Sequence, residues 1–138
     1  MSNDLYQAAI VAAAKAAHGK GRLAAPDRTA MLDNPLCGDR VTIDVKIDGD
    51  RISALGHDVR GCALCQAAAS LLADAAPGLT TDEAAALPAA IDALLADGVA
   101  PHGALAAAAM FAPVRAHRSR FECVRLPFAA LTAALAGG

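Results

Sequence analysis

The sharpest pattern of apolar and polar positions runs from residue 40 to residue 60. Val41, Ile43, Val45 and Ile47 alternate with Thr42, Asp44 and Lys46. A period of two predicts a β-strand with one buried face. Asp48-Gly49-Asp50 reads as a hairpin turn, because glycine tolerates positive φ. Residues 51–59 then return as the second strand, and a break in alternation near Gly56 predicts a bulge there. A further short strand is expected near residues 29–32.

Elsewhere the period is helical. Residues 4–17 read as a helix with Asp4 in its first turn and Gly19 as a stop. Leu64, Ala67, Ala68, Leu71, Leu72 and Ala75 fall on one helical face, and Pro77-Gly78 ends that helix. Thr80 with Glu83 fits a capping box for the next one. Pro88 interrupts that segment, and Gly98 closes it. Residues 101–110 predict another short helix, and residues 124–136 a last one, which tolerates Pro127 only in its first turn. The chain has no internal repeat and no linker long enough to divide it.

Composition adds that the core is aliphatic. Of 138 residues, 56% are apolar but only 3% aromatic, so alanine and leucine carry the packing, and alanine favours helix. The net charge is −2, with no basic patch interleaved with aromatics, which argues against nucleic acid as a partner. No apolar run approaches the roughly 20 residues a membrane span needs. An N-terminus opening on Asp4 lacks the cationic start of a signal peptide. A cytoplasmic, reducing setting is expected, where four cysteines point to metal or thiol chemistry rather than disulfides.

Three of the thiols lie at turns between elements. Asn34-Pro35-Leu36-Cys37-Gly38-Asp39 precedes the hairpin, Gly61-Cys62 follows it, and Glu122-Cys123 precedes the last helix. The hairpin brings its two ends together, so Cys37 and Asp39 become neighbours of Cys62. Three sulfurs and one carboxylate suit a tetrahedral zinc site or a small iron–sulfur cluster such as [2Fe–2S]. Three thiolates and a carboxylate need cations, and Arg40, Arg60, Arg120 and Arg125 stand near the candidate ligands in sequence. Taken singly, each cysteine is also readable as a small buried hydrophobe, and Asp39 as a turn residue. Cys62-x-x-Cys65 opening a helix has the layout of a thiol redox site, but an antiparallel hairpin precedes it rather than a βαβ unit. Cys65 reads instead as a thiol at the core edge. The histidines His18, His57, His102 and His117 read as surface residues, His117 being the one near a cysteine. The stretch 115–120 reads as a solvated basic face.

The combination Asn34-Pro-x-Cys37-Gly38-Asp39, a strand hairpin, Gly61-Cys62 opening an alanine-rich helix, and Arg120-x-x-Cys123-x-x-Leu126 resembles the U-type iron–sulfur cluster assembly scaffolds (IscU, SufU and the N-terminal domain of NifU). Leu5-Tyr6 also looks like that family's start. The resemblance implies an α+β fold, a small antiparallel three-stranded sheet with helices packed on one face, in the SufE/IscU-like manner. It implies one domain over residues 1–138. The long interval between Cys62 and Cys123 looks like the SufU branch, with an insertion at about 90–112. The resemblance implies Cys37, Asp39, Cys62 and Cys123 as ligands of zinc or a [2Fe–2S] cluster. It further implies a cysteine desulfurase (SufS/IscS-like) as sulfur donor and apo iron–sulfur proteins as recipients. Sulfur is then expected on Cys37, as in SufU, with Cys123 the alternative, as in IscU. Zinc-dependent sulfur transfer without scaffolding is an alternative, and structural zinc or thiol redox chemistry a second. Whether the protein acts as an enzyme or a scaffold stays open. Two departures from the pattern stand out. Glu122 replaces the usual His or Lys, adding negative charge or a substitute ligand, and Cys65 replaces a small residue such as Ser, adding a spare thiol.

Overall fold

The alternation at 40–60 forms the centre of a three-stranded antiparallel sheet. In this computed structural model, which describes residues 8–36 and 38–137, the strands are β1 (Arg28–Asn34), β2 (Asp39–Asp48) and β3 (Arg51–Arg60), in the order β1-β2-β3. The helices are α1 (Ala8–Ala16), α2 (Ala63–Ala75), α3 (Thr81–Ala85), α4 (Leu87–Asp97) and α5 (Phe121–Ala136). Two 3₁₀ segments, Gly103–Ala116 and Arg118–Arg120, join α4 to α5. The α+β class expected from the sequence is the one observed.

Val41, Ile43 and Val45 are fully buried on the helix side of the sheet. There α5 packs across β1 and β2, α2 lies against β3, and α1 rests on α2. Alanine makes this tight packing feasible: Ala67, Ala68 and Ala69 of α2 are all 0% exposed. The three phenylalanines go to the same core: Phe111, Phe121 and Phe128 are all buried. Burying a large apolar side chain stabilises by about 2 kcal/mol.

The capping box is present: Thr80 Oγ1 accepts from the Glu83 N–H at 3.0 Å, and Glu83 Oε1 accepts from the Thr80 N–H at 2.9 Å. Gly98 ends α4 in the left-handed conformation at φ 72°.

Three expectations are corrected. The irregularity in the hairpin lies between Lys46 and Ile47, opposite Ile52 and Ala54, not at Gly56. Gly56 breaks the alternation for another reason: the chain at Gly21 crosses it so closely that a Cβ would collide with the Gly21 carbonyl. The 101–110 helix is instead a 3₁₀ segment reaching Ala116. The last helix starts three residues early, at Phe121, so Cys123 lies inside its first turn and Pro127 in its interior. The burial of Phe121 and Val124 against the core explains the earlier start. Of the predicted 4–17 helix, Ala8–Ala16 is described; Asp4, Leu5 and Tyr6 lie outside the described residues. Among the described residues, no helix is long and apolar enough to cross a membrane.

The crossing segment covers part of the sheet's other face and buries Asp44, a position the alternation marks as solvent-facing. Asp44 Oδ2 accepts from Arg22 Nε at 2.6 Å and from the Leu23 N–H at 3.1 Å. Its Oδ1 accepts from Arg22 at 3.1 Å and from the Thr29 hydroxyl at 2.6 Å. Burial pushes this carboxyl up, but Arg22, Thr29 and the Leu23 N–H outweigh it and hold it below the usual carboxylate range.

Candidate metal centre

The hairpin closes on the pair Asn34 and Asp39, the last rung between β1 and β2. Asn34 shapes the connecting loop: its Oδ1 accepts from the Leu36 N–H at 3.2 Å, and its carbonyl accepts from the Gly38 N–H at 2.8 Å. Gly38 takes φ +75°, which a Cβ would oppose. Cys37 itself lies outside the described residues.

Asp39 turns inward, 2% exposed, toward the far end of β3. Its Oδ1 accepts from the Cys62 N–H at 3.2 Å, and its Oδ2 lies 3.9 Å from the Cys62 sulfur. Gly61 permits this approach. A Cβ there would stand 2.5 Å from Asp39 Oδ1 and 2.8 Å from its Cγ. The sequence places Gly61 beside Cys62 but carries no signal of this contact, which depends on the two strand ends meeting.

Cys62 occupies the N-cap of α2 with an extended backbone. Cys123 arrives from the other side, fully buried in the first turn of α5. Ligating atoms of Asp39, Cys62 and Cys123 all lie within 4.8 Å of one another. The expected meeting of these three side chains is therefore present in the geometry. Two helix N-termini face it, and their positive dipole ends offset its negative charge.

That environment acts on the thiol. The hydrogen bond with Cys123 lowers the Cys62 pKa most, burial opposes it, and the N–H groups of Cys65 and Leu64 lower it further, against the raising effect of Asp39; the result is about 6. In metal-free protein, Cys62 is therefore a thiolate at neutral pH. Its alkylation by iodoacetamide is expected to be half-maximal near pH 6, well below an ordinary thiol. A mass-resolved pH profile of Cys62 modification checks this; a midpoint near 8.5 contradicts it.

Pro127 has a local consequence. It has no N–H to give the Cys123 carbonyl four residues back, so the first turn of α5 is held by one helical bond fewer.

The cations are placed differently from their sequence positions. Arg125 turns away to Asp92 (2.6 Å) and Glu122 (3.0 Å), with its guanidinium over the Phe121 ring. Glu122 is thereby paired with a cation, so the extra negative charge expected from it is offset. Arg40 pairs with Asp33 at 2.7 Å. Arg60 lines, with Asn34, Gly38 and Asp39, an open cleft of about 410 Å³. Arg120 stands at the N-cap of α5. Cys65 is fully buried in the core, deeper than the edge position expected. His57, read as a surface residue, is 3% exposed.

Tetrahedral zinc places its sulfur and oxygen ligands about 2.0–2.3 Å from the ion, so donors lie roughly 3.5–4 Å apart. A cluster confined to 4.8 Å, with one thiol already acidic, fits that requirement.

The family model for the NifU-like N terminal domain matches residues 5–124. An iron-sulfur cluster assembly scaffold protein IscU of Streptococcus pyogenes is 35% identical over 85 residues, 62% of this chain and 53% of that protein. The zinc-dependent sulfurtransferase SufU of Bacillus subtilis is 36% identical over 47 residues, covering 34% of this chain and 32% of that protein. The chain thus spans about half the length, or less, of these relatives. Among solved structures, a nitrogen-fixing NifU-like protein (N-terminal) from Brucella abortus superposes with a TM-score of 0.91 at 32% identity, over 97% of this chain and 94% of that one.

Proposed function

The chain belongs to the NifU-like N-terminal domain family, and from that premise we propose that it serves iron–sulfur cluster assembly, accepting sulfur from a cysteine desulfurase at a metal-bearing Cys37, Asp39, Cys62 and Cys123 site. The observation that carries this reading is the convergence of Asp39, Cys62 and Cys123. Similarity to proteins named IscU and SufU supports the same direction. We read residues 1–138 as one domain, with the SufU-like insertion at about 90–112.

Zinc, when bound, keeps its cysteine ligands deprotonated at neutral pH. The chain's own groups do the rest. Asp39 holds the Cys62 N–H, and so keeps the start of α2 against the start of β2. The N–H groups of Leu64 and Cys65 favour the Cys62 thiolate. Asp39 offers a hard oxygen in an otherwise soft donor set, which makes it the weakest ligand for zinc. Cys37 is the acceptor: its thiolate attacks the terminal sulfur of the desulfurase persulfide. A sulfur–sulfur bond forms on Cys37, and the donor cysteine leaves as a thiolate. Recipient apo iron–sulfur proteins are the onward partners, in a cytoplasmic setting.

The test is metal analysis of natively purified protein together with a desulfurase assay. Near-stoichiometric zinc is expected, with desulfurase turnover stimulated many-fold and the stimulation abolished by Cys37→Ala. Stimulation untouched by Cys37→Ala rejects the acceptor assignment. A second reading, cluster assembly on the same donors, follows from the scaffold name of the IscU relative. It calls for a stable visible absorbance after anaerobic loading with iron and sulfide.

A further inference from the structure

The first turn of α5 carries Cys123, yet its local chemistry is poor. Its N-cap is Arg120, whose side chain has donors only and cannot accept from the orphan N–H groups of a helix start. Pro127 withholds the bond that the Cys123 carbonyl would otherwise receive. By contrast, α3 opens on a complete capping box. Burial of Phe121 and Val124 holds the turn to the core. Toward α4 the packing is incomplete: a recess of about 330 Å³ lies between the two helices, with Pro88, Ile91 and Phe128 in its lining.

One side chain bridges the helices at this recess. Arg125 Nε donates to Asp92 Oδ1 of α4 at 2.6 Å, and its Nη1 donates to Glu122 Oε1 at 3.0 Å. The guanidinium carbon lies 5.4 Å from the centroid of the Phe121 ring, within cation–π range. A single planar group thus engages the residues three and four before it and a residue on another helix. Phe121 and Glu122 immediately precede Cys123, and Arg125 is the second residue after it. The contacts therefore enclose the Cys123 backbone from both sides.

We propose that Arg125 and Asp92 are positioning residues for the metal centre: their ion pair, with Glu122 and Phe121, fixes the weakly capped first turn of α5 and so the place of the Cys123 sulfur. This rests on the reading of Cys123 as a ligand given above. The Arg125 and Asp92 side chains are 33% and 54% exposed, so a several-fold effect is expected rather than one of orders of magnitude.

Metal-free protein is treated with iodoacetamide at one pH, and initial rates at each cysteine are followed by mass spectrometry. Cys123 and Cys65 are both fully buried, and Cys65 lies on α2, so Cys65 reports general loosening and Cys123 the turn. Asp92→Asn and Arg125→Gln should each speed Cys123 modification about fivefold and leave Cys65 unchanged. Asp92→Glu, which keeps the carboxylate, should match wild type. A purely electrostatic effect on the thiol has opposite signs in Asp92→Asn and Arg125→Gln, whereas loss of the clamp has the same sign in both. Opposite signs, equal acceleration at Cys65, or no acceleration at Cys123 overturns the proposal. In a second arm, cobalt(II) is titrated into the metal-free protein with its visible absorbance as readout, and both variants should bind it about fivefold more weakly. Wild type that takes up no cobalt rejects the metal reading itself. Variants that bind cobalt as tightly as wild type overturn the clamp alone.

Discussion

Gly61→Ala is expected to lower metal affinity at least tenfold while leaving the helical circular dichroism of the protein unchanged. The backbone at Gly61 is not in the positive-φ region, so alanine is conformationally acceptable there. The obstacle is steric: the new methyl would stand 2.5 Å from Asp39 Oδ1, 2.8 Å from Cγ and 3.1 Å from Cβ. Asp39 cannot swing aside, being 2% exposed and tied to the Cys62 N–H. The end of β3 must therefore move, and Cys62 moves with it. Misplacing the groups that position metal ligands costs about 10- to 100-fold in affinity. Competition with a chromophoric chelator measures the loss. Asp39→Ala removes a donor and lowers affinity by itself, but it also removes the colliding side chain, so the double variant should lose less than the sum of the two single losses. Fully additive losses in the double variant would show that the contact with Asp39 is not the cause.

The largest stability loss is expected at Asp44→Ala, about 3 kcal/mol, from a buried carboxylate that accepts four hydrogen bonds. Arg22 is 55% exposed, so its ion pair contributes only part of this. The rest comes from stranding the Leu23 N–H and the Thr29 hydroxyl and from the lost volume. For a chain of this size the melting temperature should fall by roughly 10 °C. The pH dependence carries a distinguishing sign. The folded-state pKa of Asp44 is depressed, so its stabilisation is present above the unfolded carboxylate value of about 4 and is lost as pH falls through the folded value. Chemical denaturation of wild type should therefore show stability dropping below about pH 4. Asp44→Ala should show a shallower drop, and equal acid slopes would exclude Asp44 as the source.

Both predictions involve residues whose roles are invisible in one dimension. Asp44 looks like an outward-facing strand residue because the alternation around it is regular. It is buried only because Gly21 and its neighbours are laid over Gly56. Gly61 looks like a turn glycine beside a cysteine. Arg125 looks like a counter-charge for the site, yet Asp92, 33 residues earlier in sequence, takes its guanidinium. Cys123 looks like a residue before a helix, because Pro127 suggests a later start; packing of Phe121 and Val124 against the core outweighs that local preference.

The sequence by itself determined the hairpin, the capping box of Thr80 and Glu83, the glycine stop at Gly98, and the placement of Cys62 at a helix start. These depend on side-chain period and on backbone chemistry within a few residues. It also named Asp39, Cys62 and Cys123 together. Only the tertiary structure decided that Asp39 and Cys62 touch, that Cys123 reaches them from α5, and that His57 is buried, its Nδ1 without a partner among the described residues. Those outcomes depend on strand register, on the seating of α5 across β1 and β2, and on one chain crossing. Each joins residues tens of positions apart, where no local propensity acts.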